Sequence, residues 1–427
     1  MKRVLIISPY FPPSNTADMQ RIRMSLPYFK ANGWDPEIIM VHEKYSETVK
    51  DHLLLESIPP DIKIHKVDAF SKKWTAKFGL GSLALRSFFF YKRYVNRLIQ
   101  KKQYELIYFS TTEFIITILG SYWKKRFGIK YVIDMQDPWH SDYYLDKPKA
   151  ERPKKYWFSY RLHKYTEPIA MKNVDGLISV SQSYIDNLKN RYPNIEHVPT
   201  ATIPFGAFIK DLEISAKNPA CVKLPFELDN LYVNIVYVGR AGYDMQEAIS
   251  LLFESYKSGL IHEHETFSKL KFFFIGTSYA PKGKGIQTVS PLAEKYGIKK
   301  NVIEKTDRIG FYESLYFLQK ADALFIPGSD DPKYTASKIY PYILTKKPLL
   351  AVFNEQSNAT TIINVCNAGI VAPLYSKTIA IPLIYNFLKS AARKEQAETQ
   401  TDWIVFEQYS AAEMTKNQCK LFDKVIG

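Results

Sequence analysis

Chemistry is available in this chain at a few short segments where glycine, arginine, lysine and hydroxyl residues follow apolar runs. Gly239-Arg240 ends one run. Glycine there lets a ligand approach the backbone, and arginine can grip two phosphate oxygens at once. Gly276-Thr277 ends a second run in the same way, and Thr306-Asp307-Arg308 stands at a further strand end, before Gly310 and a helix over 312–320. The longest polar segment, 327–342, carries Tyr334, Thr335, Ser337 and Lys338 where a strand gives way to a short helix. Free amides at a helix start, with a hydroxyl and a cation, make an anion site. Asp330-Asp331 lacks the spaced carboxylates of a divalent-cation site and reads as a solvated loop pair. In the first half, Asp134-Met135-Gln136-Asp137-Pro138-Trp139 follows another apolar run. Carboxylates beside an indole suit hydroxyl recognition and stacking on a sugar ring. His140 has no histidine near it with which to share a metal. Each segment also has a plain structural reading: a turn glycine, a capping serine beside a solvated lysine, a capping aspartate with a core tryptophan.

The elements that must position these residues follow from the apolar pattern. Runs at 4–7, 37–41, 106–109, 131–133 and 176–180 read as buried parallel strands, with helices over 18–32, 112–127 and 157–173 between them. A second series begins at 233–238 and continues at 271–276, 323–326 and 349–353, with a helix from about 246 to 257. Residues 199–230 hold Pro199, Pro204, Pro219 and Pro225 without clear periodicity. The expected organisation is therefore an N-terminal Rossmann-like domain over 1–205, a linker over 206–230, a C-terminal Rossmann-like domain over 231–395, and a final helix within 396–427 returning to the first domain. The fold class is α/β, two doubly wound units facing across a cleft.

Composition bounds the rest. At 427 residues, 46% hydrophobic and 24% charged, the chain is globular and too long for one ordinary core. Its aromatic fraction of 15% demands burial, a ring-lined groove or a membrane surface. Cys221, Cys366 and Cys419 are too scattered for a zinc site or a disulfide scaffold, which fits a reducing, cytoplasmic setting. The apolar run near the start is too short for a signal peptide, and no run is long enough to span a bilayer. Residues 1–205 hold 32 lysines and arginines against 20 acids, so most of the net charge of +15 belongs to the first half. Residues 72–102 hold nine cations and no acid. On a helical projection Arg86, Arg93 and Arg97 share one side, opposite Ala84, Phe88, Tyr91, Val95 and Leu98. Such a helix either lies on anionic lipid or packs its apolar face into the core.

In order, these motifs resemble the GT-B retaining glycosyltransferases of the large bacterial family four type, over nearly the whole chain. The opening 4–13, with Pro12-Pro13, is similar to the family's first strand and Pro-Pro loop. Asp134 to Trp139 is similar to an Asp-x-Arg-Asp-Pro-Trp stretch of one branch, 175–181 to the strand closing the N-terminal domain, and Val238-Gly239-Arg240 to the phosphate-contacting Gly-Arg. Ser337-Lys338-Ile339-Tyr340-Pro341-Tyr342 followed by Lys347-Pro348 resembles the segment near the donor. Three departures stand out. Lys333 and Pro341 occupy the positions of two usual glutamates, Ser14-Asn15-Thr16 replaces the usual glycines, and Met245 stands where a lysine is expected.

The resemblance implies transfer of a sugar from a UDP- or GDP-linked donor to a glycan or lipid-linked acceptor, with retention and without a metal or other cofactor, in cell-surface polysaccharide biosynthesis. In that reading Arg240 and Lys338 stabilise the leaving phosphate and Asp137 holds a hydroxyl. Gly239, Gly276, Thr277, Thr306, Arg308, Tyr334, Thr335 and Ser337 line the donor, and Ser14, Asn15, Thr16 and Trp139 face the acceptor. The basic segment 72–102 would meet an anionic membrane from the cytoplasmic side. Two alternatives remain open, an epimerase or hydrolase of nucleotide sugars on the same fold and an inactive binding scaffold. Nucleic-acid binding is disfavoured by the strand-end motifs.

Overall fold

The computed structural model describes residues 1–140, 142, 145, 156–219, 228–330, 338–395 and 398–427. The chain divides into two compact units, Met1–Gly206 with Tyr409–Gly427, and Ala207–Gln408.

In the first unit the apolar runs become parallel strands because helices cover the sheet and leave no face for polar residues. Among the described residues these are β1 (Lys2–Ile7), β2 (Trp34–Val41), β3 (Lys63–Val67), β4 (Leu106–Ser110), β5 (Lys130–Met135), β6 (Gly176–Ser179) and β7 (Thr200–Thr202). Their order is β3-β2-β1-β4-β5-β6-β7, so the winding reverses between β1 and β4. The expected helix over 18–32 is broken into Gln20–Ser25 and two tight turns, Leu26–Tyr28 and Lys30–Asn32. Pro27 lacks the amide that would continue the first helix, and Gly33, at φ +82°, ends the segment. The last helix, Ala411–Ile426, belongs to this unit. Phe422 meets the Trp34 and Tyr108 rings at 5.4 and 4.9 Å, and Gln418 donates to Ser25 Oγ at 2.8 Å.

The second unit repeats the scheme with β8 (Val233–Val238), β9 (Leu270–Ile275), β10 (Val302–Lys305), β11 (Ala323–Pro327), β12 (Leu349–Phe353) and β13 (Ile370–Pro373). The order β10-β9-β8-β11-β12-β13 reverses between β8 and β11. Much of the aromatic surplus is buried here: Phe253, Phe272, Phe274 and Tyr256 pack ring on ring at 4.8–6.4 Å.

One expectation is corrected and one open alternative is narrowed. The helix Ile209–Lys217 occupies part of the stretch read as a linker and is built into the second unit. Tyr312 binds it from both ends, donating from its hydroxyl to Asp211 at 3.0 Å and accepting from Ser215 Oγ at its carbonyl at 2.9 Å. The flanking prolines hide its period in the sequence. The helix Leu83–Lys101 buries Leu83, Ala84, Tyr91 and Val95 in the first unit's core, so its apolar face is already covered. Arg86 is buried too, donating to the carbonyls of Phe70 and Tyr45. Among the described residues no helix is long and apolar enough to cross a membrane.

Candidate functional site

The polar residues of the second unit gather where β8 and β11 part, at the carboxyl ends of the strands. An open α/β sheet leaves a crevice there. Gly239 follows β8, and Lys338 Nζ lies directly against it, so that any side chain at 239 would strike the amine. Arg240 forms a two-pronged ion pair with Asp244, 2.6 Å on each arm. Asp244 in turn accepts from Ser329 Oγ at 2.8 Å, and its carbonyl accepts from the Asp330 amide at 2.9 Å. The loops after β8 and β11 are thus tied together across the reversal. Tyr342, from the helix Ile339–Leu344, closes the other side by donating to the Val238 carbonyl and accepting from its amide. The Asp244 carboxyl is held below its ordinary value, first by Arg240.

Lys338 makes no ion pair or hydrogen bond among the described residues. Burial, then Arg240 and Arg308, push its amine down from 10.5 to about 8. Arg308 also lacks an acidic partner among the described residues, and its guanidinium sits 5.4 Å from the Tyr279 ring. Lys338, Arg240 and Arg308 therefore bear on one another, and of the three Arg240 is ion-paired to Asp244. Such an arrangement raises the energy of the empty site and favours an anion. Gly276 turns the chain at φ +71°, where a Cβ would come 3.6 Å from the Arg308 backbone. Thr277 is corrected: its buried hydroxyl donates to Glu304 at 2.7 Å, and Glu304 also caps the helix Val289–Tyr296. That hydroxyl is committed to the scaffold. Thr306 packs under Gly285. Tyr334, Thr335 and Ser337, with Lys333, lie outside the described residues. No metal-holding cluster of histidine, cysteine or acid occurs among the described residues.

In the first unit, Asp137 follows β5 and is exposed, and partial desolvation and the nearby Asp18 push its carboxyl up. Trp139 is corrected: it is only 4% exposed, stacked on Phe114 at 5.5 Å and edge-on to His163. Packed this way, the ring is committed mainly to the core. Asp134 is fully buried and ion-paired to Arg21 at 2.7 Å. Gln136 and Ser110 also donate to it. Ser14 is buried, pairs with Lys50 along the backbone and accepts from its amine at 3.2 Å. Asn15 is pinned by its amide to the Val49 carbonyl, and only Asn15 and Thr16 of this loop keep partial exposure.

No family model matches the chain, and no curated protein matches it in sequence. Solved structures match it in fold. A sucrose-phosphate synthase from Thermosynechococcus elongatus is 12% identical, with 99% of each chain covered and a TM-score of 0.55. Anabaena HepE, solved with UDP and glucose, is 13% identical over 99% of this chain and 100% of its own, at 0.56. Staphylococcus aureus TarM, solved with fondaparinux, a GlcNAc-glycerol and UDP, is 9% identical with the same coverage, at 0.56. The fold is GT-B. Both parallel sheets of this GT-B chain reverse their winding beside a loop of the expected site, β1 before Ser14 to Thr16 and β8 before Gly239-Arg240. The residues without a signal in the sequence are Asp244 and Ser329, the pair that aims Arg240. An acid four residues after an arginine has many other uses, and only the β8–β11 adjacency gives this one its meaning.

Proposed function

We propose that the second unit binds the diphosphate of a nucleotide sugar, UDP- or GDP-linked, and that the protein transfers the sugar to a glycan or lipid-linked acceptor. The carrying observation is the convergence of Lys338, Arg240 and Arg308 at the β8–β11 reversal, with the Lys338 amine depressed and, among the described residues, without an ion-pair partner. When the bond between the anomeric carbon and the phosphate oxygen breaks, positive charge grows on the sugar and negative charge on the departing diphosphate. Fixed cations stabilise the second charge where it develops. The acceptor oxygen then bonds to the anomeric carbon, and its proton passes to the departing phosphate oxygen on the same face, giving retention. No step calls for a metal. Asp137, at the end of β5, is the group offered to a sugar or acceptor hydroxyl, and the partly open Asn15 and Thr16 offer further polar contacts. The setting proposed is cell-surface polysaccharide synthesis, at the cytoplasmic side of a membrane.

The test is to supply UDP- and GDP-sugars with glycan and lipid-linked acceptors and read the product's anomeric configuration by proton NMR. A retained configuration supports the reading. Inversion overturns the mechanism, and sugar released or epimerised without acceptor favours the epimerase or hydrolase. Pro341 leaves the helix Ile339–Leu344 without a carboxylate where relatives of the resembled type carry a glutamate. Nucleotide binding without any turnover would therefore make the protein a binding scaffold.

A further inference from the structure

We infer that the first unit docks on an anionic lipid bilayer through the exposed face of the helix Tyr156–Met171 and the neighbouring turn around Trp74, and not through the helix Leu83–Lys101. This gives a surface to the membrane setting proposed above and rests on it only for its biological use. The helix Leu83–Lys101 has spent its apolar side on the core, leaving lipid nothing but Phe89 among scattered cations. The other surface is different in kind. Trp157 is 64% exposed, Tyr165 70%, Ile169 47%, and across the turn Trp74 is 70% and Leu80 42%. Positions 157, 161, 164, 165, 168 and 169 form one stripe at helical spacing, in which Arg161 and Lys164 alternate with the rings. Gly79 brings the turn alongside, since a Cβ there would lie 3.8 Å from the Phe158 ring.

The charges fit the same partner. Arg161 lies 5.7 Å from the Trp157 ring and Lys77 5.3 Å from the Trp74 ring. Cations whose stems run along indoles can sink the rings to headgroup depth while keeping their charges among phosphates. Glu167, the acid within the helix, is fully buried and bound by Arg191 and Tyr192, so it does not offset the cations. Among the described residues the exposed carboxylate touching this helix is Asp142, which accepts from Tyr160 at 2.8 Å. A second copy of the chain would set these cations against themselves in a two-fold interface. Leu80 and Ile169 have hydrocarbon to bury and no flat face to offer a nucleobase.

The experiment sediments the full chain with vesicles of phosphatidylcholine alone and with one-third phosphatidylglycerol, at low and high salt. Binding to the anionic vesicles, weakened by salt, is expected. Arg161→Ala should lower the partition coefficient about fivefold, and Trp157→Ala and Trp74→Ala should each lower it without changing the melting temperature, because all three side chains are exposed. Brominated lipid should quench tryptophan fluorescence less in the tryptophan variants. Absence of binding to anionic vesicles overturns the inference. So does binding that survives both tryptophan substitutions but is lost on Arg93→Ala with Arg97→Ala, and so does selective loss of oligonucleotide binding or of a dimer in the same variants. Each variant's melting shift with nucleotide is read in parallel, so failure of the second unit to bind nucleotide is distinguished from failure of this surface to bind lipid.

Discussion

Lys338 occupies a position that costs the free protein stability, and the proposed function gives that cost a purpose in anion binding. Its amine is depressed from 10.5 to about 8, so between those values the folded chain holds fewer protons than the unfolded one. The penalty is fully present below pH 8 and vanishes above pH 10.5. Lys338→Met should therefore stabilise the free protein at pH 7 by about 1–3 kcal/mol, read by urea unfolding, and the gain should fade as the pH approaches 10.5. The same substitution should lower turnover by about 10²–10³-fold, as losing one preorganised charge does elsewhere. A bound diphosphate favours the charged amine, so binding takes up a proton above pH 8. The dissociation constant for a nucleoside diphosphate should be flat from pH 7 to 7.5 and weaken from pH 8 to 9.5, by at most about tenfold per unit. Calorimetric titration across that range checks it, and Lys338→Met should remove the slope.

At the scale of elements, the buried Arg21–Asp134 pair fastens the first helix of the first unit to β5. Arg21 also donates to the Ile203 carbonyl at 2.7 Å beyond β7. Asp134→Ala strands a guanidinium in the core and should cost about 3–5 kcal/mol in equilibrium unfolding. Phe422→Ala, which empties the seam between the last helix and the Trp34 and Tyr108 rings, should cost a similar 3–5 kcal/mol. Neither change touches the second unit, so nucleotide binding should persist in protein that remains folded. The central strands were legible because burial on both faces makes them unbroken apolar runs, as in Val4 to Ile7. The outer strands were not. Lys-Ile-His-Lys-Val in β3 and Thr-Ala-Thr in β7 are edges, short and partly wet, and carry no such run. β13 is likewise an edge, and β10 was marked only by the polar segment after it. Within the candidate site, Gly239 and Arg240 were singled out from strand-end position and Lys338 from a helix start, whereas Asp244 and Ser329 come together through a contact 85 residues apart in sequence. Trp139 misled for a physical reason: an indole after a strand end looks the same whether it faces solvent or, as here, the Phe114 ring.

At the scale of the whole molecule, the two units divide the chemistry by charge and exposure. The first carries most of the positive charge and the ring-bearing surface on the helix Tyr156–Met171, and the second carries the cation cluster at β8 and β11. The most direct measurement on that cluster is thermal unfolding of the full chain with UDP, GDP, ADP, TDP and CMP, beside Lys338→Ala. Ligand at 100 times its dissociation constant adds about 2.7 kcal/mol to the folded state, which is readily seen as a rise in melting temperature. The expected result is a rise with one nucleoside diphosphate that is absent with CMP and lost in Lys338→Ala. No rise with any of the five, or an equal rise in Lys338→Ala, would contradict the assignment of the donor diphosphate to Lys338, Arg240 and Arg308.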